Sequence, residues 1–149
     1  MNFLRNTFGV LVGLAVAALI ISIGVRLNPS WINYEEIAPF QRWEKVLKSV
    51  EHKPYFFVAL LISSGIAATI GGVVTAIIVK YAKVAYAILI GFIMLFVAMV
   101  DIIIFPHHPT FYKILIFLIY FPFAWIGGKI VEVLYNKRNS PRNKNKNAS

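Results

Sequence analysis

A chain of 149 residues that is 59% hydrophobic and only 14% charged cannot cover a soluble globule with polar side chains, and a mean hydropathy of +0.73 places it among membrane proteins. The net charge of +9 does not indicate nucleic acid: five basic residues cluster in 136–149, and no aromatic-basic interleaving accompanies them. Without cysteine there is no disulfide, thiolate nucleophile or cysteine metal site.

In chain order, Thr7 to Val25 (TFGVLVGLAVAALIISIGV) carries no charge and is long enough to cross a hydrocarbon core of about 30 Å. Arg5 precedes it as in a signal peptide. The apolar run exceeds a usual signal core, however, and no small-x-small cleavage site follows, so an uncleaved anchor is expected. The connection Arg26 to Lys53 follows. Within it Phe40, Trp43, Leu47 and Val50 recur at helical spacing between Gln41, Arg42, Glu44, Lys45 and Lys48. That pattern predicts an amphipathic helix in the outer membrane interface, with Trp31, Tyr34 and Trp43 at headgroup depth. A gate over a pore or pocket is the alternative role for it.

Three more apolar segments are predicted as spanning helices, at about 54–79, 84–105 and 110–134. The fold expected is an all-α, four-helix membrane bundle formed by a single domain, 1–135, with a disordered basic cytoplasmic tail over 136–149. Basic residues near the helix ends set orientation. Arg5, Lys80, Lys83 and the basic tail favour both termini inside, which leaves the 26–53 loop outside.

Small residues mark the faces where helices meet in lipid. They recur as Gly9, Gly13 and Ala17; as Ser64, Ala68, Gly72 and Ala76; and as Ala87, Gly91, Met94 and Ala98. Asp101 continues the last stripe, so it is expected to face other helices rather than lipid. Ile-Gly-Gly also occurs twice, at 70–72 and 126–128, each time before a basic helix end.

The ionisable residues concentrate at the outer ends: Glu51 and His52 before the second span, Asp101 one turn inside the third, and His107 and His108 in the turn DIIIFPHHP. An acid within a spanning helix points to a functional site or a buried partner. Asp101 and Lys113 are about equally far from the turn, so an ion pair across the hairpin is expected. A proton or cation site at Asp101, and a metal site using Asp101 with His107 or His108, are the alternatives. Lys129 and Glu132 are expected to pair across one turn. There is no GxSxG, HExxH, phosphate loop or GxGxxG, so no catalytic residue and no cofactor are assigned.

The segments IGG at 70–72, PHHPTFY at 106–112 and YFPFAWIGGK at 120–129 resemble a group of uncharacterised bacterial four-helix integral membrane proteins. The doubled His107–His108 departs from the Pro-His-Pro expected in that group. The resemblance implies a bacterial inner-membrane location and the same four-helix fold, and implies no activity. The function expected is a structural or accessory subunit packing through its Gly/Ala faces, in a homo-oligomer or with a partner membrane protein. Its basic tail would touch anionic lipid. A small oligomeric proton- or cation-linked transporter or channel, using Asp101 and the outer histidines, is the alternative, and a membrane metalloenzyme the third.

Overall fold

A computed structural model describes residues 2–26 and 39–144, with side chains over 3–26 and 41–139. The described residues form helices only: α1 (Asn2–Arg26), α2 (Pro39–Val50), α3 (Pro54–Ile78), α4 (Lys83–Ile104) and α5 (Thr110–Lys144). All but α2 are long and apolar enough to cross a membrane. Trp31 and Tyr34, expected at headgroup depth, lie outside the described residues, as do 145–149.

The centre of the bundle is α3, packed against α1, α4 and α5. Each stripe of small residues faces inward, and Gly13 shows why. A Cβ there would lie 2.8 Å from the carbonyl oxygen of Gly71, so only glycine lets α1 and α3 approach this closely. The Thr75 hydroxyl then donates to the Gly9 carbonyl oxygen across the same contact, at 3.1 Å. The two Ile-Gly-Gly segments meet at the α3–α5 crossing, where Gly72 packs on the Ala124 backbone and Gly127 on that of Thr69. Away from these contacts the surface stays apolar, with Leu19, Phe96, Ile103 and Leu118 all more than half exposed. A continuous surface of this kind suits hydrocarbon rather than water.

The turn between α3 and α4 places Ala82 in the left-handed region, φ 51°. Lys83 stabilises this turn by donating from Nζ to the carbonyl oxygens of Ala76 and Val79, both at 2.8 Å, which satisfies two groups left open by the end of α3. Its ammonium also sits 4.9 Å from the centre of the Tyr135 ring.

Helix α2, within the 26–53 connection, buries one face. Leu47 and Val50 are fully enclosed in the same cluster as Phe56 and Phe57 at the start of α3. Each burial contributes about 1.5–3 kcal/mol relative to exposure. The expected helix bounds hold within one residue for α3 and α4. At α1 and α5 the helix outruns the apolar segment, beginning at Asn2 rather than Thr7 and continuing to Lys144 rather than Leu134. Much of the segment 136–149, expected as a disordered tail, is therefore helical. Hydropathy reports where a helix leaves hydrocarbon, not where its hydrogen bonds stop.

Candidate functional site: a polar cluster closing an apolar cavity

Asp101 sits in the last turn of α4, at the end of the stripe Ala87, Gly91, Met94, Ala98, and its side chain keeps 25% of its surface exposed. Two groups from other elements hold the carboxylate. The indole Nε1–H of Trp43, on α2, donates to Oδ1 at 2.8 Å. His108, in the turn before α5, brings Nε2 to 3.1 Å from Oδ2. This approach lies off the hydrogen-bonding direction and leaves Nε2 without an aligned partner, although the His108 side chain has no exposed surface.

The other imidazole nitrogen fixes the tautomer. His108 Nδ1 lies 2.8 Å from the carbonyl oxygen of Phe105, and a carbonyl only accepts, so Nδ1 carries the proton. The ring stacks on Tyr112, with centroids 5.1 Å apart at 22°, and meets Phe57 edge-on at 5.8 Å. With Nδ1–H so committed, Nε2 and the Asp101 carboxylate are two acceptors face to face.

Lys113, the partner expected for Asp101, is not paired with it. The inner face of α5 runs through Tyr112, Ile116, Tyr120 and Ala124, and Lys113 lies about 100° around the helix from Tyr112. His107 turns away from His108 and lies 3.5 Å, from its Nδ1, to Oε2 of Glu51, a partly exposed pair worth less than about 1 kcal/mol. His52 is exposed and joins neither pair. The trio Asp101, His107 and His108 is thus split, and among the described residues no three His, Asp or Glu side chains converge on a possible metal position. Lys129 and Glu132 do pair across one turn of α5.

Below Asp101 lies a cavity of about 390 Å³. One wall comes from α1 (Leu14, Ala17, Ala18 and Ile21) and the opposite wall from α4 (Ile93, Met94, Val97 and Ala98). Leu60, Ser64, Tyr112 and Tyr120 form the back, and Trp43 and Asp101 close one end. Since α1 packs mainly on α3 and only thinly on α4, the space opens sideways between them, with Ala18 and Val97 exposed on its two lips. Among the described residues, Asp101 is the only acid on the wall and no lysine or arginine lines it. Helical spacing pointed to Asp101 as inward-facing. It gave no sign of the cavity or of the Trp43 hydrogen bond to the carboxylate.

No family model, curated protein or solved structure matches the chain.

Proposed function

We propose that the chain is a small multi-pass membrane protein, without catalytic activity of its own, that binds a single-chain amphiphile in the crevice between α1 and α4. The cavity carries this reading: it is apolar along its length, open to the side through which hydrocarbon would enter, and polar only at a few points. An alkyl chain would lie along α1 and α4, with its head against Asp101 and Trp43. The Gly/Ala faces that would serve a purely packing subunit are already engaged within the chain, as at Gly13 and Gly91. A binding role therefore fits better than an accessory role built on those faces.

The membrane is proposed to be the bacterial cytoplasmic membrane, with both termini inside and α2 at the outer interface. Lys80, Lys83, Lys129, Lys137 and Arg138 support this orientation by clustering at the helix ends opposite the histidine turn. A second reading, proton- or cation-linked transport, is favoured by the buried His108 imidazole lying 3.1 Å from the Asp101 carboxylate at the end of the crevice.

The binding reading is tested by Trp43 fluorescence. In lipid nanodiscs carrying a Trp31→Phe, Trp125→Phe protein, a brominated dodecyl maltoside added at low mole fraction should quench Trp43 saturably. Quenching that rises only in proportion to probe in the bilayer would contradict it.

A further inference from the structure

We infer that the crevice selects a lipophilic monocation, an alkylamine or alkyl quaternary ammonium, held by the Asp101 carboxylate beside the buried His108. This rests on the amphiphile-binding reading above. Its first support is the sign of the site. Among the described residues the cavity wall contains one carboxylate and no lysine or arginine, and Asp101 meets only the neutral Trp43 N–H and the close approach of His108 Nε2. An anionic head would meet the carboxylate unscreened, and a neutral head would leave it uncompensated in a largely apolar space. A cation satisfies it. The rings of Trp43, Tyr112 and Tyr120 on the same walls add π surface suited to an alkylammonium group.

The second support is His108 itself. Its side chain is fully buried, its Nδ1–H is committed to the Phe105 carbonyl, and its Nε2 faces Asp101 Oδ2 at 3.1 Å without hydrogen-bond alignment. Nε2 and Oδ2 thus present two acceptors side by side, and a positive head beside Oδ2 answers both by its charge, while Trp43 remains the donor to Oδ1. Among the described residues the rest of the lining is uncharged: α1 contributes aliphatic side chains, α2 the indole of Trp43, α3 Leu60 and Ser64, and α5 the Tyr112 and Tyr120 phenols. His107, next in the turn, is engaged by Glu51.

The test uses the full chain in zwitterionic nanodiscs, with brominated dodecyl maltoside as the reporter on Trp43 and three unbrominated competitors: dodecyltrimethylammonium, dodecyl maltoside and dodecyl sulfate. At about pH 8 the ammonium should displace the reporter at a mole fraction at least about tenfold lower than the maltoside, and the sulfate should be the weakest. Asp101→Asn should abolish that advantage while the reporter still binds. Equal displacement by ammonium and maltoside, or a preference that survives Asp101→Asn, would overturn the cation and leave amphiphile binding standing. Failure of the reporter itself to bind would remove both.

Discussion

Asp101 owes its position to its own helix and its partners to two other elements. Spacing of three and four from Ala87 made its inward direction legible, because a helical stripe needs no tertiary information. Its partner was not legible. Lys113 stands at the right distance from the turn in sequence, but one residue of helical rotation separates it from the inner face that Tyr112 occupies. The partners that do reach Asp101 come from a loop helix and from the turn, whose placement depends on how α2 seats on Phe56 and Phe57. Stability should divide accordingly. Trp43→Phe removes the donor to a carboxylate while keeping most of the apolar bulk, and should cost about 1.5–3 kcal/mol. Lys113→Ala should stay within about 0.5 kcal/mol. Denaturant unfolding in detergent checks both, and a larger loss for Lys113→Ala would restore the expected hairpin ion pair.

Among the elements, helix identity and packing face were readable because apolar length and small-residue periodicity are local properties. Pro54 at the first position of α3 and Thr110 at the start of α5 mark their boundaries directly. The glycines show how tightly those faces are used. A Cβ on Gly91 would lie 2.8 Å from both the Tyr120 carbonyl oxygen and the Ala124 Cβ, so α4 and α5 would have to separate. Gly91→Ala is therefore expected to destabilise the bundle by about 1–3 kcal/mol despite its better helix propensity. Ile103→Ala, on the exposed side of the same helix, should cost less than about 0.5 kcal/mol. Thermal unfolding in matched detergent compares the two, and equal losses would show that the crossing tolerates a methyl group.

For the molecule as a whole, four apolar helices were evident from composition, but the cavity was not. Small-residue stripes foretell close contact, and here α1 spends its stripe on α3, which leaves α4 beside it without a matching surface. The gap belongs to the assembled bundle and to no single helix. The direction in which the bundle sits is a matter of charge placement. Because the chain has no cysteine, single cysteines introduced at Lys48 and Lys137 report sidedness without background. A membrane-impermeant maleimide applied to intact cells should label the first and spare the second, and the reverse pattern would invert the proposed orientation.

Occupancy of the α1–α4 crevice by an amphiphile is tested most directly by Trp43 quenching in nanodiscs, with Ala98→Phe filling the cavity from the α4 side and Ala18→Phe doing so from α1. Saturable quenching at low probe mole fraction in the parent protein, reduced to a bilayer-proportional slope in either filled variant that keeps its thermal stability, is the result expected. Quenching of the same size and shape in parent and filled proteins would place the probe in the surrounding bilayer and contradict the proposed site.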